Sequence, residues 1–206
     1  SPTNNFATLN PLNNQTAATL SEGNLKTVGT GSNWDNVQST MAVSSGKWYW
    51  EVKAVSISGS EGWVSGIHQT GFEAQSLHWY SGSYTAAGYG VVFGVQDNNQ
   101  KVTNATQTSF TSDIAAGDIV QFRLNLDDDE LSVSVDGVDK GKLYDITAGL
   151  EYTPTSSLYN TSSAIHNFGQ DSSFAGTETA QGNQDGNGIG DFYYAPPTDF
   201  LALCTS

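Results

Sequence analysis

The sequence predicts an all-β fold, a sandwich or barrel of short antiparallel strands, and three observations carry this. Apolar residues recur at every second position in many short stretches, the periodicity of a half-buried strand. Gly, Asn, Ser and Thr crowd the segments between them, with 22 glycines in 206 residues, as befits strands joined by turns. No stretch carries an amphipathic helical pattern over three turns. Roughly ten to thirteen strands without helices leave a sandwich or a barrel as the architectures that bury one core.

Residues 1–24 are polar with scattered anchors, Phe6, Leu9, Leu12 and Leu20. Pro2 and Pro11 argue against a helix, so this is a lead-in with an edge strand. Leu25 to Val28 reads as a short strand. Val37 to Val43 alternates, and the turn Ser44-Ser45-Gly46 suggests that it pairs as a hairpin with the next stretch. That stretch, Gly46-Lys47-Trp48-Tyr49-Trp50-Glu51-Val52, is the centre of the reading. Trp48, Trp50, Val52 and Ala54 form one large apolar face, and Tyr49, Glu51, Lys53 and Val55 the other. Two of five tryptophans on one face mark a central strand.

Gly62 to His68 is the next strand, its glycines suggesting close packing or a bulge. Residues 69–87 are long for a loop, with a short strand suggested at Leu77 to Tyr80. Gly88 to Gly94 reads as a strand. Val120, Phe122, Leu124 and Leu126 alternate with polar residues, as do Leu131, Val133 and Val135. Asp136-Gly137 is a two-residue hairpin signal, so residues 118–142 should form a three-stranded meander. Tyr152 to Asn160 and Ser163 to Phe168 are further strands. Residues 171–191 offer little to bury and read as an exposed polar loop. Residues 192–206 return to the core through Phe192-Tyr193-Tyr194 and Phe200 to Cys204. The division is thus a single domain, 1–206, with a core at 25–170, and its two ends can lie side by side.

The formal net charge is −14, from 21 acidic and 7 basic residues. This opposes nucleic acid and anionic membranes as partners, since phosphate binding needs a basic patch. No segment approaches the ~20 apolar residues of a membrane-spanning helix, and no signal peptide is visible. Cys204 is the only cysteine, so stability rests on packing without an intrachain disulfide.

Several motifs together resemble a SPRY domain: Gly46 to Val52 (GKWYWEV), Trp63 to Ile67 (WVSGI), Gly88-Tyr89-Gly90, Gly117 to Leu126 (GDIVQFRLNL), Leu131 to Gly137 (LSVSVDG) and Asn167-Phe168-Gly169. Their order and spacing span about residues 37 to 170. The resemblance implies a two-sheet antiparallel concanavalin-A-like sandwich that acts as an interaction module through loops at one end, and is not an enzyme. Thr8-Leu9-Asn10-Pro11-Leu12 and the tail Asp191 to Cys204 (DFYYAPPTDFLALC) are similar to segments of SPRY-containing structural proteins of tailed phages. That likeness implies a virion module, of a tail fibre or capsid-associated appendage, for assembly or host attachment. Its partners would be subunits of the same assembly or a host-surface glycan, its location the virion or the extracellular space, and a homo-oligomer is expected. The alternative is an extracellular carbohydrate-binding module.

The chemistry-bearing residues are few. A glycosidase needs two carboxylates ~5 to 10 Å apart, and the alternating Glu-x-Asp-x-x-Glu run of sandwich glycanases is absent. Glu51 reads as a strand residue with an outward or cross-strand role. His68, His78 and His166 have no metal-ligand spacing and read as surface or hydrogen-bonded core residues. In Asn183 to Asp191, oxygen side chains alternate with glycines, a pattern that can wrap calcium through Asp185, Asn187 and Asp191. An EF-hand would need a bidentate Glu where Tyr194 stands, so a flexible Asn/Gly turn is the other reading. No other cofactor is expected. Trp79, Tyr80 and Tyr84, in a Ser/Gly-rich stretch, are the ligand-binding candidates. Their rings suit sugar faces, or else cover an open end of the sandwich.

Overall fold

The computed structural model describes residues 4–14, 18–72 and 86–205. It is a sandwich of two antiparallel sheets. One has seven strands in the order β10 (Thr106–Ser109), β9 (Gln100–Thr103), β8 (Val92–Gln96), β7 (Trp63–Gln69), β14 (Tyr152–Asn160), β5 (Gly31–Ser39) and β2 (Leu9–Asn14). The other runs β13 (Val138–Asp145), β12 (Glu130–Val135), β11 (Ile119–Asn125), β6 (Lys47–Ser56), β15 (Ser163–Asn167), β4 (Lys26–Val28) and β3 (Thr19–Ser21). An eighth strand of this sheet, β16 (Leu201–Ala202), lies parallel to β6, with Leu201 opposite Trp48 and Ala202 opposite Tyr49. The ends of the chain pair through β1 (Asn5–Phe6) and β17 (Cys204–Thr205).

The Trp-rich strand is β6, held between β11 and β15 in the middle of its sheet. Trp50 is fully buried and stacks on Phe122 of β11, ring centroids 5.1 Å apart. Val52, Ala54, Val120, Leu124, Leu131 and Val133 extend that face, and Ile67, Phe93, Val95, Tyr152 and Leu158 meet it from the other sheet. The meander over 118–142 is β11, β12 and the start of β13. Its first partner exchange sets Phe122 opposite Val133, and Asp136 and Gly137 carry the positive φ of a two-residue hairpin turn.

Three sequence expectations are corrected, and a fourth lies outside the described residues. The strand before β6 ends at Ser39 and pairs with β14 and β2, so it does not form a hairpin with β6. The link Thr40 to Gly46 crosses from one sheet to the other, because Val37 and Trp50 both belong inside while their strands lie on opposite sides of the core. The Gly88–Gly94 stretch is a strand only from Val92. It is preceded by one helical turn, α1 (Ala86–Tyr89), and by Gly90 at φ +75°. The suggested strand at Leu77 to Tyr80 lies outside the described residues. The 171–191 segment has irregular backbone but is not bare: Phe174 is fully buried against Ile119 and Ile165.

This last point changes the reading of β6. Its second face is as buried as its first: Tyr49, Glu51 and Lys53 are all under a tenth exposed. The C-terminal segment lies across that face as a strap. Phe192 packs edge-on against Tyr49 at 5.1 Å, with Ala202 beside them. The sheet therefore has apolar clusters on both sides, and the period-two pattern of β6 separates two interiors rather than inside from outside.

Candidate functional site

Strand β2 enters its sheet with a bulge. Leu9 pairs with Ser39 and Asn14 with Val37, so Asn10 to Asn13 stand opposite Gln38 alone. Pro11 supplies no backbone donor, and Asn10 Oδ1 accepts from Leu12 N at 3.0 Å, an Asx turn that bends the chain outward. Leu12 is held 95% exposed as a result. Beside this bulge lies a groove of about 460 Å³, within the range of small-ligand sites. Asn10, Leu12, Asn13 and Asn14 line one wall, Gln38 to Ala42 and Thr153 the floor, and Thr70 to Phe72 the far side.

The floor is a connected polar network. Ser39 Oγ and Thr153 Oγ1 are 2.8 Å apart, and both reach the Met41 carbonyl, at 2.8 and 2.9 Å. Asn13 Nδ2 donates to Gln38 Oε1. Gln38 Nε2 contacts His68 Nδ1 and lies 3.3 Å from the Phe72 carbonyl. His68 Nε2 meets the Tyr89 carbonyl at 2.7 Å. A carbonyl can only accept, so the proton sits on Nε2, and Nδ1 accepts from Gln38. Burial pushes the His68 pKa down to about 4, which keeps the ring neutral. Gly90 permits this packing. A Cβ there would meet the Phe72 ring at 2.5 Å and His68 Nε2 at 3.1 Å, and its φ of +75° suits glycine.

A second histidine joins the sheets. Ser156 Oγ of β14 lies 2.8 Å from His166 Nε2 of β15, and Ser65 Oγ of β7 lies 2.9 Å from Ser156 Oγ. A serine against a histidine is the start of a nucleophile–base pair. Here Ser156 is fully buried, His166 is 1% exposed, and His166 Nδ1 faces the Leu25 carbonyl at 3.4 Å. No substrate can reach it, and burial lowers the His166 pKa to about 4. The cluster ties two sheets together.

Glu51 is a third polar centre. It accepts from Tyr193 N at 2.9 Å, Tyr194 N at 2.7 Å, Tyr49 Oη at 3.0 Å and Asn167 Nδ2 at 3.0 Å. Both carboxylate oxygens are engaged, and burial raises its pKa despite those donors. Its role is to pin the strap, where the sequence suggested an outward or cross-strand side chain.

The sequence-derived site residues fall in different places. Trp79, Tyr80 and Tyr84 lie outside the described residues, as does His78. Asp185 Oδ1 accepts from Asn187 N at 2.9 Å and Ile189 N at 3.0 Å, and its Oδ2 from Ala202 N at 2.9 Å. Asp191 Oδ1 accepts from Ser172 Oγ. Backbone and hydroxyl donors thus occupy the carboxylates suggested for calcium, and they order the 183–191 loop by internal bonds. Asn187 contributes its backbone N–H to that turn. Among the described residues, no three His, Cys, Asp or Glu side chains come together as metal ligands. The groove was missed because residues 1–24 read as a lead-in. The signal was the run Asn10-Pro11-Leu12-Asn13-Asn14, in which Asx residues around a proline mark a bend and not an even strand.

The same two-sheet arrangement occurs in solved structures. The SPRY domain of human HERC1 superposes with a TM-score of 0.63 at 16% identity, over 77% of this chain and 96% of that one. The fold is that of a SPRY domain. The PSpry domain of TRIM65 matches with a TM-score of 0.57 at 15% identity, over 79% of this chain and 89% of that one. Stonustoxin matches with a TM-score of 0.56 at 22% identity, over 78% of this chain and 26% of the toxin chain. No family model matches the chain. Within the SPRY sandwich, the groove lies where the links after β5 and β7 leave the sheet, beside the bulged edge strand β2.

Proposed function

We propose that this chain is a non-catalytic recognition module that binds a protein partner through the bulge and groove beside β2. The observation that carries this is the pairing of a rigidly presented, 95% exposed leucine with an open groove. The two histidines that could have served chemistry are locked into buried networks. A single exposed leucine is ordinary on a protein surface; what singles this one out is its place at the mouth of the groove. The SPRY fold supports the reading, since the strand faces on the core side are consumed and recognition falls to links and edges. A photo-crosslinking residue at Leu12 tests it. It should capture a defined partner, while the same residue at Val138, exposed on the opposite edge of the molecule, should not. Capture from Val138 alone, or from neither position, would overturn the assignment of this surface.

The more specific reading places the module in a virion, in a tail fibre or capsid-associated appendage, for assembly or host attachment. It is supported by the likeness of Thr8 to Leu12 and of Asp191 to Cys204 to segments of such proteins. Antibody labelling of purified particles from the source would test it. Unlabelled particles beside free chain in the medium would sink it.

A further inference from the structure

We propose that the partner at this surface is a second copy of the chain, in a two-fold dimer where each copy seats Leu12 in a hollow of the other. This rests on the recognition-module reading and names the partner that the exposed leucine meets. The hollow is a second cavity, of about 380 Å³, lined chiefly by Met41, Ala42, Val43, Trp48 and Leu203. It lies between the link that follows β5 and the returning C-terminal segment. A cavity of about 150 Å³ already admits a benzene-sized group, so a leucine side chain fits. Met41, Val43 and Trp48 are only partly buried by the core beneath them. Met and aromatic side chains are among those enriched where proteins meet.

Both halves of the contact are held ready. Leu12 is 95% exposed on a bulge fixed by the bond from its N–H to Asn10 Oδ1. The link that walls the hollow is tied down on both sides: Thr40 N donates to the Thr8 carbonyl at 2.7 Å, and Val43 and Tyr152 exchange two backbone bonds of 2.9 Å. Trp48 Nε1 donates to the Ser45 carbonyl at 2.7 Å, which sets the indole against the link. Groups already in place avoid the cost of ordering them. The second support is placement. Met41 and Ala42 line the hollow and also the groove that Leu12 borders. Knob and hollow are therefore neighbours across one short link. An isologous dimer needs a single patch that carries both members of each contact. A two-fold axis beside Met41 and Ala42 sends each leucine into the partner's hollow, and the assembly closes at two copies. The same knob and hollow on opposite sides of the molecule would instead propagate as an open chain. The third support is charge. Each copy carries a formal −14, so two copies repel, and salt screens that repulsion. A dimer held by leucine in an apolar hollow therefore tightens as salt rises, whereas one held by ion pairs loosens.

The test is sedimentation equilibrium of the whole chain from about 1 to about 100 μM, in about 50 mM and about 500 mM sodium chloride. The parent should follow a monomer–dimer equilibrium that tightens with salt. Leu12→Asp removes the knob, and Ala42→Arg sets a bulky cation against its own copy at the axis. Each should weaken the dimer at least about tenfold, and both should melt as the parent does when all are dilute monomers. Val138→Asp, on the opposite edge, should leave the equilibrium unchanged. A chain that stays monomeric throughout, or that grows past two copies, overturns the proposal. So does a dimer that survives both substitutions or that loosens in salt. A different protein captured at Leu12 by a monomeric chain would overturn the second copy and leave the recognition-module reading standing. A crosslinker at Leu12 that captures nothing would sink both.

Discussion

The strap and the groove are both built from polar residues, yet one is finished and the other is open. Under the strap, the two oxygens of Glu51 are met by four donors and the two oxygens of Asp185 by three backbone N–H groups. At the groove, amides and hydroxyls are tied to one another yet line an open cavity of about 460 Å³. Where carboxylates are saturated, polar residues act as fasteners for a segment with little to bury. Where neutral groups are tied to one another around a cavity, they line it without closing it. A polar cluster is therefore read by what its bonds enclose, and its residue types alone are a poor guide.

The largest break in this contrast should come from Glu51→Ala. It orphans four buried donors and frees the strap from β6, at a cost of about 3 to 5 kcal/mol or more in urea unfolding. A loss below about 1 kcal/mol would mean that the strap is held by its apolar contacts. Trp50→Ala, on the opposite face of the same strand, should cost about 3 to 5 kcal/mol from lost burial and the cavity left behind. A similar loss for the two would place equal weight on the two interiors.

Acid should act next, through the two histidines. Each has a folded pKa of about 4 against an ordinary value of 6.5. Between those values the unfolded chain binds the proton and the folded chain does not. Stability is therefore full above about pH 6.5 and is lost as the pH falls toward 4, on the order of 3 kcal/mol per ring. Glu51 works the other way. Its raised pKa makes the folded chain take up that proton first, which softens the loss at the acid end. Urea midpoints measured from pH 7 down to pH 4 check this; a flat profile would mean that the rings are charged in the fold.

Smaller effects sharpen the comparison. Asp185→Asn keeps one acceptor for the turn and loses the other, so it should cost about 1 to 3 kcal/mol. Its melting temperature, like that of the parent, should be unmoved by millimolar calcium, because the carboxylate is spent on backbone donors. A calcium-dependent rise in the parent would restore the metal reading of Asp185, Asn187 and Asp191. The groove variant Ala42→Arg should shift stability by less than about 0.5 kcal/mol.

Much of the sandwich was legible before any coordinates. Trp48 to Ala54, Val120 to Leu126 and Leu131 to Val135 alternate cleanly, and Asp136-Gly137 fixes one hairpin with a two-residue turn. Connectivity was less legible. Ser44-Ser45-Gly46 looks like a hairpin turn, and nothing local distinguishes a turn within a sheet from a link that crosses between sheets. The second interior was hidden for a related reason. Phe174 and Phe192 are isolated apolar residues in polar sequence, and their burial depends on partners in distant strands, Ile119 of β11 for the first and Tyr49 of β6 for the second. The groove was least legible, because its walls are Asn, Ser and Thr, residues that read as turn formers whether or not a cavity lies between them.

The placement of β16 gives this fold a schedule. On the edge of β6 away from β11, β15 serves the half from Glu51 to Ser56, and β16 serves Trp48 and Tyr49. A chain leaving the ribosome has made every other strand of that sheet before Leu201 emerges. Until then the tryptophan end of its central strand is a raw edge with its backbone groups unpaired, the kind of edge that recruits other chains. Leu201 and Ala202 thus act as a closing seal on β6, and a chain stopped short of residue 201 should accumulate as aggregate rather than as a slightly weakened monomer.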